Sequence, residues 1–374
     1  MNQITFGGKR MLVRNRVALV AATALTCAGL VGGAPATAGT AKAAETPAKV
    51  KVVAKNLTDP RQLSASGDFF YVAESGLNQI ARVAKVGGAR TTVVKGVPNA
   101  QGVVKAGSKL YLAAGSSGPG GKEGPATQRL HVAKPGGSPR VFANLLKYEQ
   151  TYNPDNQTQG TGPEDDTLSN PYFVVKSKAR GGFLLVADAG ANDVLAVSRK
   201  GKVSTFFVPQ TITTGSCATA EQNSPAGPSC DPVPTGLAYG PGGLLYVSGL
   251  SSEAEDQGRV YVVDKNGKLV KTLTGFTSPT GVAVAPDGTV YVSEAIDGAP
   301  QGPPPPGFNP DEIGQIVKVA SDGKRTYAQV TQPSGLLYLD GKLYASARSL
   351  YKAFLGADGQ GQIVSVDPSS FVAE

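Results

Sequence analysis

Between Leu57 and Asp367 one short pattern recurs six times: a proline, an apolar run, a Gly-containing turn, and a second apolar run that usually holds Tyr-Val or Leu-Tyr. The clearest copies are Pro234-Thr235-Gly236-Leu237-Ala238-Tyr239-Gly240-Pro241-Gly242-Gly243-Leu244-Leu245-Tyr246-Val247-Ser248 and Pro279-Thr280-Gly281-Val282-Ala283-Val284-Ala285-Pro286-Asp287-Gly288-Thr289-Val290-Tyr291-Val292-Ser293-Glu294. Two apolar runs joined by a Gly turn read as a β-hairpin. Aligned on the second run, Tyr71, Tyr111, Leu185, Tyr246, Tyr291 and Tyr344 share one position. A third run ending in Val follows each hairpin, as in Ile80 to Val83 or Val260 to Val263, and a fourth follows in most copies, as in Val203 to Val208 or Leu269 to Leu273. Four strands recurring at roughly 40–50 residues is the pattern of a propeller blade. The expectation is an all-β fold: a six-bladed β-propeller with four-stranded antiparallel blades. The 48 glycines, 27 prolines and absence of tryptophan agree with many turns and few long helices.

The termini test this independently. The sixth copy stops after its third strand, Gln362 to Asp367, and the run Lys49 to Leu57 stands before the first copy where other copies have a fourth strand. An open ring would leave strand edges unpaired and prone to edge-to-edge association. Closure by the N-terminal strand, residues 49 to 57, is therefore expected, with residues 45 to 374 forming a single propeller domain.

Residues 1 to 44 read as a secretory signal peptide. Lys9, Arg10, Arg14 and Arg16 precede an apolar stretch from Val17 to Val31, and small-residue cleavage patterns follow at Ala36-Thr37-Ala38 and Ala41-Lys42-Ala43-Ala44. Met11 would serve as a start equally well. The apolar stretch is shorter than the roughly 20 residues a membrane span needs, so no transmembrane segment is expected in the mature chain, and the protein is expected outside the cell. Without this segment's five cations the formal charge falls from +8 to +3. The remaining charge is scattered, so nothing marks a nucleic-acid partner. Cys217 and Cys230, the cysteines left after cleavage, bracket a Ser-, Ala-, Gly- and Pro-rich loop and are expected to form a disulfide in an oxidising compartment.

Because strands one and two form a hairpin, the start of the first and the end of the second lie on one face of the ring. Glu74, Asp188 and Glu294 end second strands in copies one, three and five. Arg61, Tyr172, Thr235, Thr280 and Ser334 follow the prolines that open first strands, and Glu164, Asp165 and Asp166 approach from the insertion spanning Asn144 to Ser169. Further insertions run from Gly115 to Gln128, from Cys217 to Cys230, and from Gly298 to Gly314 with its prolines 303 to 306. Three carboxylates converging on a channel mouth could hold Ca²⁺, an all-oxygen-ligand cation, or bind a polar ligand together with Arg61, Asn170, Tyr172, Asn192 and Asp193. Glu74, Asp188 and Glu294 are the candidate metal ligands, and Ca²⁺ the one cofactor considered. The competing role for each acid is structural, capping a turn or pairing with Arg61 or Arg348, while Asn170 and Asn192 would hold turns.

Three stretches make the chain recognisable: Leu145-Leu146-Lys147-Tyr148-Glu149-Gln150-Thr151-Tyr152-Asn153-Pro154-Asp155, then Ser169-Asn170-Pro171-Tyr172, then Val186-Ala187-Asp188-Ala189-Gly190-Ala191-Asn192-Asp193. In them the chain resembles the ScyD/ScyE family of secreted bacterial proteins, and elsewhere it looks like generic NHL-type propeller repeats. The resemblance implies an exported six-bladed propeller and assigns no defined activity. Phe173 departs from it, since Gly is common after Asn-Pro-Tyr.

Two function classes follow. The first is an extracellular binding or scaffold propeller, expected as a monomer, whose partner is a small molecule, another extracellular protein or a cell-surface component. The second is a metal-dependent hydrolase or lyase of the lactonase type with its site at the channel mouth. Lactonase-type propellers place Asn or Asp after the opening proline, and here only Asn99 has that type. The single histidine, His131, stands between Leu130 and Val132 in a third strand, where a structural role is expected, so no catalytic residue is assigned.

Overall fold

Each repeat forms one four-stranded antiparallel sheet in the computed structural model, and the six sheets follow one another in chain order around a ring. The residues described are 50–117, 123–157, 168–179, 182–220, 227–300 and 305–373. Residues 1–49, with the segment 1–44 read from sequence as a signal peptide, the acids Glu164, Asp165 and Asp166, and the start of the run 303–306 lie outside them.

Blade 1 consists of Pro60–Ser66, Phe69–Glu74, Gln79–Ala84 and Thr91–Lys95, paired in that order. The innermost strands of the other blades are Ala100–Ala106, Pro171–Lys176, Pro234–Tyr239, Pro279–Val284 and Leu336–Leu339. Each inner strand packs against the inner strands on either side, so the six enclose a common axis. Prolines open four of them, Pro60, Pro171, Pro234 and Pro279. A strand's first residue can lack the N–H that a ladder position would need.

The N-terminal strand closes the ring as expected. Val50–Leu57 pairs antiparallel with Gly361–Val366, with Val50 opposite Val366 and Leu57 opposite Gly361. Blade 6 thus takes three strands from the C-terminal end and its outermost from the N-terminal end. Leu57 and Ala54 are buried with Leu63, Phe70 and Ile363, so the closing strand joins blade 6 to blade 1 through side chains as well as hydrogen bonds.

The aligned second-strand position explains why the repeat is needed. Tyr71 packs with Val103 and Leu110 of blade 2, and Tyr111 with Val174 and Leu184 of blade 3. Leu185 packs with Leu237 and Leu245 of blade 4, and Tyr246 with Val282 and Val290 of blade 5. Tyr291 meets Leu336 and Leu343 of blade 6, and Tyr344 meets Leu63 and Phe70 of blade 1. Each blade buries one face against the next, and a fully buried Leu or aromatic side chain contributes about 1.5–3 kcal/mol of transfer free energy. No blade can bury that face alone.

Nearer the axis the contacts become polar and close. Thr235 Oγ1 donates to Pro279 O at 2.7 Å, Thr280 Oγ1 to Pro333 O at 2.9 Å, and Ser346 Oγ to Arg61 O at 2.7 Å. These hydroxyls carry hydrogen bonds from one blade to the next. The glycines of the Pro-Thr-Gly repeat allow the approach: a Cβ on Gly281 would lie 2.3 Å from Ser334 O, and one on Gly335 would lie 2.6 Å from Arg61 O.

Among the described residues two α-helices interrupt the strands. The insertion after blade 2, read from sequence as a loop, contains Leu145–Tyr152, capped by Asn144, whose side chain accepts from Lys147 N at 2.9 Å. After the second strand of blade 6 comes Tyr351–Leu355, whose first N–H groups at Lys352 and Ala353 donate to Asp59 of blade 1. The expected disulfide between Cys217 and Cys230 is formed. A loop of this size gains about 3 kcal/mol in the chain-entropy picture. Among the described residues no helix is long and apolar enough to cross a membrane.

Replacing Gly281 with Ala is expected to cost about 1–3 kcal/mol by overpacking backbone that cannot yield. Gly124→Ala, where nothing lies within 4 Å of the added carbon, is expected to be near neutral. Chemical denaturation of the two variants measures the difference.

Candidate functional site: a buried carboxylate pocket beside blade 3

Glu74, Asp188 and Glu294 end their second strands opposite the opening prolines Pro60, Pro171 and Pro279. All three turn back into their own blades. Glu74 Oε1 accepts from Thr58 N at 2.9 Å and Oε2 from Gln79 Nε2 at 2.8 Å, with Arg90 Nη1 at 3.4 Å. Glu294 repeats the arrangement: Oε1 accepts from Thr277 N at 2.7 Å and Oε2 from Gln315 Nε2 at 2.9 Å. Asp188 accepts from Asn170 N at 2.6 Å, from Gly190 N and Ala191 N at 3.2 Å, and from Ser169 Oγ at 2.5 Å. In each blade the carboxylate ties the end of strand two to the segment entering strand one. Burial raises the carboxyl pKa of all three, to about 7 for Glu294 and about 6 for Asp188, and these hydrogen bonds oppose the shift.

Apolar groups occupy the axis at this end of the ring. Tyr172, Ala189, Val233, Leu250, Ala295 and Leu350 pack together, with Ile296 and Phe354 partly buried against them. Side chains from blades 3, 4, 5 and 6 can meet only near the axis, and Leu350 and Phe354 belong to the segment that Asp59 holds. Arg61 is buried, with its Nε donating to Ser75 Oγ at 3.1 Å, and Asn170 Oδ1 accepts from Ser116 N at 3.0 Å. Glu74 and Glu294 are therefore engaged within separate blades and are not brought to Asp188. Among the described residues, no three Asp, Glu, His or Cys side chains stand close enough, as placed, to hold one ion.

Asp188, Asn192 and Asp193 do come together, with partners the sequence reading left out. The helix Leu145–Tyr152 buries Leu145 and Glu149, four residues apart and so on one face. It ends at Asn153 in the left-handed conformation, and the turn that follows carries Asp155, whose Oδ1 accepts from Gln157 N at 3.1 Å. Asn192, also left-handed at φ 51°, donates from Nδ2 to Asp155 Oδ2 at 3.0 Å and accepts at Oδ1 from Val233 N at 3.2 Å. That chain of contacts joins the helix insertion, the turn between strands two and three of blade 3, and the entry to blade 4. Asp231, next to Cys230 of the disulfide, comes in with the last of these and is hydrogen-bonded by the side chain of Gln157.

The result is a cluster of four carboxylates, Glu149, Asp155, Asp188 and Asp193, with Asp231 joined to it through Gln157 and Asp155. All but Asp155 are among the buried residues of the chain, with Asp188 and Asp193 0% exposed. The charges acting on Asp193 are Asp188, Glu149 and Asp155, and those acting on Glu149 are Asp155 and Asp188. Burial, reinforced by these like charges, raises Glu149 to about 9 and Asp193 well above the ordinary carboxylate range. Asp231 rises to about 6, again chiefly through burial. Glu149, Asp155 and Asp231 carried no signal as isolated acids. Glu149 and Asp155 lie in the stretch that carries the family resemblance, and a Glu four residues after a buried Leu on a capped helix was the available clue.

His131 is buried in blade 2, with Nε2 2.7 Å from Ala126 O, and burial lowers its pKa. It stands in a third strand, as expected.

No protein-family model matches this sequence, and no curated protein matches it. Solved structures do resemble it in fold. A calcium-binding regucalcin from Agrobacterium tumefaciens aligns at 12% identity over 85% of this chain and 93% of its own, with TM-score 0.52. A gluconolactonase from Xanthomonas campestris aligns at 11% identity over 85% and 89%, also with TM-score 0.52. The PQQ-bound aldose sugar dehydrogenase of Streptomyces coelicolor aligns at 13% over 85% and 98%, with TM-score 0.50. At these identities the likeness is one of fold.

Glu294 gives a pH test. Its folded pKa lies above the unfolded value, so the folded chain holds its proton longer, and stability is lost as pH rises from about 4.5 to about 7 and then levels. Glu294→Gln can still accept from Thr277 N and has no such loss. Between pH 4 and pH 8 the wild type is expected to lose at most about 3 kcal/mol relative to this variant, read by urea denaturation.

Proposed function

We propose that this chain is an exported bacterial propeller of ScyD/ScyE type that binds its ligand at the carboxylate cluster beside blade 3 and does not turn it over. One observation carries the reading. The three stretches behind the resemblance, residues 145–155, 169–172 and 186–193, meet in space, and the oxygens they bury there include several without a hydrogen-bond partner, among them both of Asp193. Leaving a polar group buried and unpaired costs about 1–3 kcal/mol, and more for a charge. A ligand that completes them is one way in which a stable protein keeps such groups.

The disulfide is compatible with an oxidising compartment, and residues 1–44 have the composition of an export signal. Binding outside the cell to a polar small molecule or a cell-surface component, by a monomer and without nucleic acid, follows from that reading.

Lactone hydrolysis is the competing activity, and the engagement of Glu74, Asp188 and Glu294 in backbone hydrogen bonds disfavours it. These groups hold strands and present no free carboxylate at the axis. The mature chain, incubated with δ-gluconolactone and p-nitrophenyl acetate, is expected to leave both at their buffer rates with or without added Ca²⁺. Turnover that disappears in Glu294→Gln or Asp188→Asn would reverse the proposal in favour of an enzyme.

A further inference from the structure

At the end of the ring opposite the opening prolines, a cavity of about 500 Å³ lies between blades 2 and 3. Three segments build it: the turn of blade 2 that ends at Lys109, the connection of blade 3 that leaves Lys176 and returns at Phe183, and Arg199, just beyond the third strand of blade 3. No Asp or Glu lines it, and these three cations do. Among the described residues the side chains of Lys109, Lys176 and Arg199 form no ion pair and no hydrogen bond. Aromatic contacts tie the parts together. The Arg199 guanidinium lies over the Phe183 ring, 4.9 Å from its centroid, and Tyr111 meets Phe183 and Phe142 edge-on, each at 5.0 Å. Tyr111 is buried through its ring, yet its hydroxyl has no hydrogen-bond partner among the described residues. Ser177 Oγ accepts from Ala179 N at 3.1 Å, which leaves its proton to donate.

We propose that this cavity is a second binding site, for a small organic polyanion that carries two or more phosphate or carboxylate groups. The proposal goes beyond the carboxylate cluster, whose acids lie at the other end of the ring. Three like charges around one concavity raise its potential, because low-dielectric walls concentrate the field. Each of these cations is satisfied only by water until an anion replaces it, and charge-assisted hydrogen bonds are about twice as strong as neutral ones. Arg199 presents a planar fork oriented by its stacking on Phe183, which suits two oxygens of one acid group, while Lys109 and Lys176 serve a second as point charges. The hydroxyls of Tyr111 and Ser177 add neutral donors. Size selects a small ligand over a polymer: cavities of roughly 300–1,000 Å³ hold small molecules, whereas a nucleic-acid strand is followed by a groove that tracks its backbone.

Calorimetric titration of the mature chain at low ionic strength tests the proposal, with pyrophosphate and citrate as separate probes for the phosphate and carboxylate forms of the ligand. At least one of the two is expected to bind in a single saturable step that weakens as NaCl is added. Lys109→Gln, Lys176→Gln and Arg199→Gln are each expected to lower that affinity about fivefold or more. Lys55→Gln, which removes an exposed charge from the outermost strand of blade 6, is expected to bind as the wild type does. Should Arg199→Gln unfold through loss of its contact with Phe183, the two lysine variants decide. Absence of binding heat with both probes overturns the proposal. An equal loss of affinity in Lys55→Gln also overturns it, because the binding would then be diffuse attraction to a basic protein. Oligothymidylate binding more tightly than either small probe overturns it as well and assigns the cations to a nucleic-acid strand.

Discussion

The innermost turn of the ring is the constraint from which the rest of the structure follows. Six strands must approach one axis closely enough for the hydroxyls of Thr235, Thr280 and Ser346 to reach carbonyls on the neighbouring blade. That distance leaves no room for a side chain on Gly281 or Gly335, which is why glycine follows the threonine or serine in those repeats. Farther out, the same spacing sets the depth into which Tyr71, Tyr111, Leu185, Tyr246, Tyr291 and Tyr344 pack. Polar fit at the centre and apolar burial outside it act together, because a hydroxyl between two blades is satisfied only if the blades are held at one separation.

Carboxylates at the ends of second strands belong to that framework. Glu74 and Glu294 each accept one backbone N–H and one Gln side chain. Blade 3 uses an Asp in the same place and satisfies it with three backbone N–H groups and a serine. Two of those N–H groups, from Gly190 and Ala191, belong to the turn that follows, and Asn192 beyond them reaches Asp155 in the turn after the inserted helix. The device that holds strand ends in blades 1 and 5 thereby borders the carboxylate cluster in blade 3.

The fold was legible because it is periodic. Six repetitions of proline, apolar run, glycine turn and apolar run constrain blade number and strand order, and the missing fourth strand in the last copy pointed to Lys49–Leu57. The site was legible only in part. Asp188, Asn192 and Asp193 stood out through their place in the repeat, but Glu149, Asp155 and Asp231 come from two insertions with no counterpart in other blades. Their meeting depends on a helix cap at Asn144, left-handed residues at Asn153 and Asn192, and a disulfide that positions Asp231. Such contacts are tertiary, and a linear pattern of spacings does not encode them. Likewise the apolar filling around Leu250 and Leu350 was hidden, because these residues follow strand ends where polar groups were expected.

The way the ring is sealed carries a temporal consequence. Val50–Leu57 is among the earliest parts of the propeller to be synthesised, and its partner, Gly361–Val366, is among the last. Until the final blade exists the leading strand has no mate, so the circle cannot lock during translation, and the full cooperative unit forms only from a finished polypeptide.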